Sequence, residues 1–403
     1  MLDLEQIQTA YKRVQGVVYK TPFSYAPILS EMSGYEVYLK KENLQRTGAF
    51  KLRGAFNRIA SLVECGERGG VVAASAGNHA QGVAFSAKYF GIEATIVMPE
   101  STPLTKVQGV KELGANVILH GSNYDEAYAH AVTFGKENNY TFVHPFTDEA
   151  VMAGQGTIAF EMLEEVPDLD AMIIPVGGGG LISGMSVAAK SLKPEIHVIA
   201  VSAKGAPAMK NSYDARQPLD TTSVRTIADG IAVRDTSPIT LEYILKNVEY
   251  FDAVCEDEIA SAILFLLEKQ KVLVEGAGSV GVAALMHGRI NLPKGSKIGI
   301  VLSGGNIDVT MLSLIIEKGL VKSSRKMKLS VVLVDKPGSL KLFTELLTQV
   351  DANIVHIGYD RTSVDLKFGD AVVSVSLETK GVEHQEEIRS ILNNNGFKFE
   401  ELH

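Results

Sequence analysis

One lysine stands where its amine could do covalent chemistry. In Gln45-Arg46-Thr47-Gly48-Ala49-Phe50-Lys51-Leu52-Arg53-Gly54-Ala55, Lys51 follows an aromatic residue and opens a run of apolar positions. Leu52, Ala55, Phe56, Ile59, Ala60 and Leu62 recur every three to four residues, which predicts a helix with one apolar stripe. An ammonium drawn toward such a stripe loses hydration, so its pKa falls and the neutral amine becomes populated near neutral pH. That form attacks carbonyls, as an imine-forming lysine must. The alternative is a lysine whose stem covers apolar surface while its head reaches water.

Three further stretches are marked by glycine, two of them with small polar residues. Pro175-Val176-Gly177-Gly178-Gly179-Gly180-Leu181 joins an apolar strand to an apolar helix. Four glycines let main-chain N–H groups converge on an anion, and the helix start adds partial positive charge. The run lacks the spacing of a dinucleotide fingerprint and the Gly-Lys-Ser/Thr ending of a nucleotide P-loop; a tight turn without ligand is the other reading. Ser75-Ala76-Gly77-Asn78-His79-Ala80-Gln81-Gly82 is a second strand-to-helix junction, suited to a carboxylate, with Asn78 able to donate to a planar ligand. It could equally be an N-cap. Ser303-Gly304-Gly305-Asn306 closes another apolar strand, and a serine hydroxyl there can bond a pyridine nitrogen without protonating it, or simply serve a turn. Glu275-Gly276-Ala277-Gly278 opens a small-residue helix that could bring a carboxylate nearby. A lysine, an anion cradle, an amide and a hydroxyl want one ligand, an aldehyde carrying phosphate on a nitrogen ring. Pyridoxal 5′-phosphate fits. No HExxH or CxxC array points to zinc, and no G-x-S-x-G elbow points to a serine hydrolase.

The elements that must position these groups alternate. Strands at 71–74, 94–98 and 116–119 alternate with helices at 78–89, 105–113 and 125–136, which predicts parallel βαβ units. The rhythm resumes after Gly154-Gln155-Gly156-Thr157 with a helix at 157–164, then strands at 171–176 and 197–201 around a helix at 181–192. A polar, irregular segment covers 204–225, helices follow at 238–245, 256–270 and 276–287, and a strand at 297–302. Beyond a basic stretch ending at Lys328, βαββαβ fits into residues 329–402, a ferredoxin-like module. The chain of 403 residues, 46% hydrophobic and 21% charged, is long enough for several cores. A net charge of −8 offers no basic field for nucleic acid. Cys65 and Cys255 make no disulfide framework, Met1-Leu2-Asp3-Leu4-Glu5 lacks a secretion signal, and no apolar run reaches membrane-spanning length. A cytoplasmic protein without membrane partners is expected.

Residues 1 to about 320 resemble the threonine dehydratase (threonine ammonia-lyase) family of fold type II pyridoxal-phosphate enzymes. The resemblance runs in order through Gln45 to Leu62, Ser75 to Gly82, Pro175 to Gly184, Thr226-Ile227-Ala228-Asp229-Gly230, Val274 to Gly278 and Ser303 to Asp308. Residues 329–403 resemble an ACT domain, with Val334-Asp335-Lys336-Pro337-Gly338-Ser339-Leu340 similar to its ligand loop. The resemblance implies an α/β two-lobed parallel-sheet catalytic domain, its small lobe at about 41–150 inserted in the large one, a linker at 321–328 and a regulatory module. It implies Lys51 as Schiff-base lysine and general base, with Phe50 beside it. Gly177, Gly178, Gly179, Gly180 and Leu181 become the phosphate loop, Asn78 the partner of the ring hydroxyl and Ser303 that of the ring nitrogen. Ser75, Ala76, Gly77, Asn78 and His79 become the substrate-carboxylate loop. Asp335, Pro337, Gly338, Ser339 and Leu340 become an amino-acid effector site. The expected reaction is β-elimination on L-threonine, and on L-serine, as a regulated first step toward isoleucine by a homo-oligomer, dimer or tetramer. A racemase on the same fold and a non-catalytic amino-acid sensor are the alternatives. Two positions depart from the family pattern. Ala49 stands where most relatives have a serine, and Val201-Ser202 where cation-binding relatives place a glutamate, so no divalent metal is expected.

Overall fold

The computed structural model describes the whole chain except Ser363, Asp365 and His403. It divides into two compact units, Met1–Asp308 and Val309–His403. The division falls before the helix Val309–Lys322, not near 320, and the stretch expected as a linker at 321–328 already carries the end of that helix and the start of the strand Lys326–Val334.

The first unit holds two sheets. One has six strands in the order Phe23–Tyr25, Glu36–Lys40, Lys297–Val301, Ala171–Pro175, His197–Ala203, Tyr250–Val254; only the first pair is antiparallel. The other has four parallel strands, Asn116–Leu119, Ala94–Met98, Val71–Ala74 and Thr141–Phe142. Ala171–Pro175 and Ala94–Met98 are buried along their whole length, as parallel strands covered on both faces must be. Met172, Ile174, Val198 and Ala200 pack against Met152, Ile158 and Met185 in the larger core. Val71, Ala73, Ile96 and Met98 pack against Ile59, Val83 and Ala84 in the smaller one.

Several elements lie where sequence reading placed something else. The helix expected to begin at Thr157 begins at Glu149 and runs to Glu165 straight through Gly154 and Gly156. Those glycines are contact points, not punctuation. A Cβ on Gly154 would stand 2.4 Å from the Arg53 carbonyl, and one on Gly156 2.8 Å from the Gly184 carbonyl, so three helices meet there main chain to main chain. The polar segment 204–225 contains a short helix, Ala208–Ala215, whose buried residues are only Ala208, Met209 and Ser212, too few to register as a stripe. Edge strands Phe23–Tyr25 and Tyr250–Val254 were not expected either.

The second unit is the helix Val309–Lys322 followed by βαββαβ. Its four-stranded antiparallel sheet has the order Asn353–Asp360, Asp370–Glu378, Lys326–Val334, Lys398–Glu401, with helices Ser339–Gln349 and Val382–Asn394 supplying Phe343, Leu347, Ile388 and Leu392 to its core.

Candidate active site

Ligands of open α/β sheets collect beyond the carboxyl ends of parallel strands. Ala74, Pro175 and Val301 end three such strands, and the loops after them hold Asn78, the four glycines and Ser303. Lys51 reaches this edge differently. Its helix, Lys51–Glu64, is entered through a short β-bridge between Ala49 and Gly304, and the Phe50 N–H donates to the Ser303 carbonyl at 3.0 Å. Ala49 is wholly buried in that bridge. A Cβ on Gly82 would lie 3.1 Å from the Lys51 carbonyl, so the helix Asn78–Phe90 sits directly on the first turn of the lysine helix.

The Lys51 ammonium donates to the Pro145 carbonyl at 2.9 Å and lies 5.3 Å from the Phe50 ring centre. Burial draws its pKa from 10.5 down to about 8, against the opposing field of the Glu275 carboxylate. Burial also lowers His79, with help from Lys51, to about 3, and His144 to about 4. Both imidazoles are therefore neutral. His79 faces the Val143 carbonyl through Nε2 at 2.8 Å, and its Nδ1 is buried without a partner. Its side chain is thus tied to the scaffold, and only its N–H at the helix start remains suited to a carboxylate. In the loop before it, Ser75 Oγ accepts from the Gly77 N–H at 3.2 Å, and Gly77 caps the helix.

The glycine loop is closed from behind. Added Cβ atoms would lie 2.7 Å from Ile231 Cα at Gly177, 2.5 Å from the Phe146 ring at Gly178, 2.8 Å from Thr240 Cβ at Gly179 and 2.7 Å from Phe146 Cα at Gly180. Gly179 also has φ +88°, the left-handed region that favours glycine. The Thr240 hydroxyl donates to the Gly178 carbonyl at 2.8 Å, which ties that carbonyl to the helix Pro238–Asn247. The first N–H groups of the helix Gly180–Leu192 have no partner within it. Among the described residues, Gly178, Gly179, Gly180 and Leu181 donate to no turn carbonyl either. Phosphate suits these donors. Ser303 is buried, and a Cβ on the neighbouring Gly304 would stand 2.4 Å from Glu275 Oε1 and 3.1 Å from the Ala49 Cβ. The residues present therefore fit pyridoxal phosphate: an amine for its aldehyde, N–H groups for its phosphate, an amide and a hydroxyl for its ring.

Sequence reading foresaw a carboxylate near Glu275 but not its partners. Asn78 Nδ2 donates to Glu275 Oε1 and Oε2 at 2.8 and 3.1 Å. Asn306 Nδ2 donates to Asn78 Oδ1 at 2.7 Å and to the Thr47 carbonyl at 2.8 Å. Phe146 and the Pro145 carbonyl were also missed, for their segment lies outside any motif. So was a buried ionic group two residues past Lys51. Arg53 bonds Glu42 at 2.8 Å and Glu161 at 2.7 Å, and Lys40 also reaches Glu161. All four side chains are at most 3% exposed. Burial alone would raise Glu42; Arg53 and Lys40 outweigh it and hold the carboxyl below 4.5.

In the second unit, Asp335 to Leu340 form the turn from the strand Lys326–Val334 into the helix Ser339–Gln349, with Gly338 at φ +93° as its cap. The Asp335 carboxylate accepts from the Tyr359 hydroxyl at 2.9 Å and from Arg361 Nε at 3.0 Å, so its side chain is already engaged.

Fold and site together define a pyridoxal-phosphate-dependent enzyme: the family model of that description matches residues 14–304, and the chain belongs to this family. Pyridoxal 5′-phosphate is its cofactor. More particularly, it is 48% identical over 398 residues to the L-threonine ammonia-lyase of Thermotoga maritima, covering 99% of both chains. Among solved structures it is similar to threonine deaminase isoform 2 of Solanum lycopersicum, at 34% identity and TM-score 0.73, over 78% of this chain and 86% of that one. Maize serine racemase matches at 35% identity and TM-score 0.74, over 80% of this chain and 98% of that one.

Proposed function

We propose that the protein is a threonine ammonia-lyase, converting L-threonine to 2-oxobutanoate and ammonia, and L-serine to pyruvate, by β-elimination. The observation that carries the reading is the Lys51 amine, desolvated to about pKa 8 at the edge where the glycine loop, Asn78 and Ser303 meet, in a chain nearly half identical to an enzyme of that name. Bound pyridoxal phosphate supplies a conjugated electron sink. The chain's own groups do the rest. In the loop Ser75 to His79 the Ser75 and Gly77 N–H groups are already engaged, so those of Ala76, Asn78 and His79 hold the substrate carboxylate; Gly177 to Leu181 hold the cofactor phosphate, and Asn78 and Ser303 orient the ring. Lys51 in its neutral form takes the α-proton as general base. Ser303 would offer the ring nitrogen a neutral hydroxyl in place of an acid. The water lost with the β-hydroxyl is regained when the released enamine hydrolyses, and the net change is loss of ammonia.

Lys51→Ala is expected to abolish both 2-oxobutanoate release and the visible absorbance of bound cofactor; retention of both would refute the assignment. Accumulation of the D-enantiomer in place of keto acid would point to racemisation instead. The second unit is an ACT-like regulatory module that takes an amino acid, isoleucine first, at the turn Asp335 to Leu340, in a cytoplasmic homo-oligomer serving isoleucine synthesis. Ending the chain at Asp308 is expected to keep elimination and erase any response to isoleucine; an unchanged response would move the effector site elsewhere.

A further inference from the structure

We infer that Glu275 is a positioning residue that fixes which way the Asn78 amide faces, and through it the hydrogen bond offered to the cofactor ring. The inference rests on the reading of Asn78 as the ring's partner. An asparagine amide has a donating and an accepting end of nearly the same shape, so its direction is set by what lies at each side. Here both ends of a short chain are fixed. At one end the Thr47 carbonyl, which only accepts, takes an N–H from Asn306 at 2.8 Å. The other N–H of that amide reaches Asn78 Oδ1 at 2.7 Å. At the far end an ionised carboxylate, which also only accepts, takes Asn78 Nδ2 at 2.8 and 3.1 Å. One N–H of Asn78 is thereby spent on Glu275, and its second is free for the ligand.

The surroundings leave this chain little slack. A Cβ on Gly48, at φ +72°, would stand 2.4 Å from Asn306 Oδ1, and one on Gly304 2.4 Å from Glu275 Oε1. Glu275 is only 3% exposed, and the Asn306 main-chain N–H also bonds it. A glutamine of the same shape must therefore aim an N–H at a donor, either the Asn306 main chain or the Asn78 amide. The second choice turns the Asn78 amide round and points its oxygen at Glu275's position. Protonation would likewise make one carboxyl oxygen a donor. Burial raises Glu275 to about 7, with Asp229 adding to the rise and Asn78 and Lys106 opposing it; Lys51 is the other charged group whose field couples to it.

The test uses full-length protein stripped of cofactor and titrated with pyridoxal 5′-phosphate about one unit above that value, reading the dissociation constant from the cofactor's absorbance. Glu275→Gln and Asn78→Ala are each expected to weaken binding about five- to tenfold, the loss of one hydrogen bond. The double variant is expected to bind no more weakly than Asn78→Ala alone, because the hold of Glu275 on the ring acts through an amide no longer there, and loss of its field on Lys51 favours the neutral amine and so does not weaken capture. Should Glu275→Gln not fold, Asn306→Ala removes the opposite end of the same chain and must show the same non-additivity. An unchanged constant in Glu275→Gln, or a double variant that loses the product of the two single losses, overturns the inference. Keto acid release is read separately: wild type that takes up cofactor but releases none overturns the proposed activity alone, whereas wild type that takes up no cofactor overturns both.

Discussion

The depressed pKa of Lys51 has a consequence that can be read as a curve. Capture of the cofactor aldehyde needs the neutral amine, so the capture rate follows the uncharged fraction. With a pKa of about 8, that fraction at pH 7 is roughly one in ten, against about three in ten thousand for an ordinary lysine, a gain of about 300-fold. Stopped-flow mixing of stripped full-length protein with pyridoxal 5′-phosphate, above pH 7 so that the phosphate stays ionised, measures it through the growth of absorbance. The rate is expected to rise about fivefold from pH 7 to 8, less than twofold from 8 to 9, and then level. The plateau is the diagnostic feature. Glu275→Gln removes the charge that holds the Lys51 proton, so its plateau should begin at lower pH. A rate that keeps climbing about tenfold per pH unit beyond 9 would mean a solvated lysine and refute the reasoning.

Gly177→Ala brings a Cβ to 2.7 Å from Ile231 Cα, main chain that cannot swing aside; cofactor affinity in a binding titration should fall at least about tenfold. Arg53→Met leaves two buried carboxylates facing Lys40 alone, so calorimetry should show a loss of about 3–5 kcal/mol, and a variant as stable as wild type would deny that the group is paired as described. Glu42 has a folded pKa below its unfolded value, so its contribution is fully present above about 4.5 and lost as pH falls through the lower folded value. Melting temperature should therefore drop on that acid limb, and Glu42→Gln should flatten it.

What could be read in the sequence was what one short segment encodes by itself. The strand Ala171–Pro175, its glycine run and the helix after it are contiguous, so their apolar period and turn chemistry announced both the buried strand and the glycine turn into the helix. Lys51 was legible from the stripe that follows it. What escaped depends on residues far apart in the chain. Asn78 and Glu275 lie 197 positions apart, Arg53 and Glu161 108. Nothing local distinguishes a buried arginine from a solvated one on the same helix. Gly154 and Gly156 misled because glycine reads as a breaker, while here its missing Cβ lets helices touch. The first unit's boundary at Asp308 was missed because the only break in composition, the basic stretch ending at Lys328, follows the helix Val309–Lys322 instead of preceding it.

The backing of the glycine loop by Phe146, Ile231 and Thr240 bears on how this protein can be re-engineered. Ile231 backs Gly177, Thr240 backs Gly179 and Phe146 backs both Gly178 and Gly180, so each position's tolerance is owned jointly with a residue that no local library would touch. Randomising 177–180 alone should return glycine at every site. Randomising them together with 146, 231 and 240 is the way to find sequences that keep the grip on phosphate with a different set of side chains.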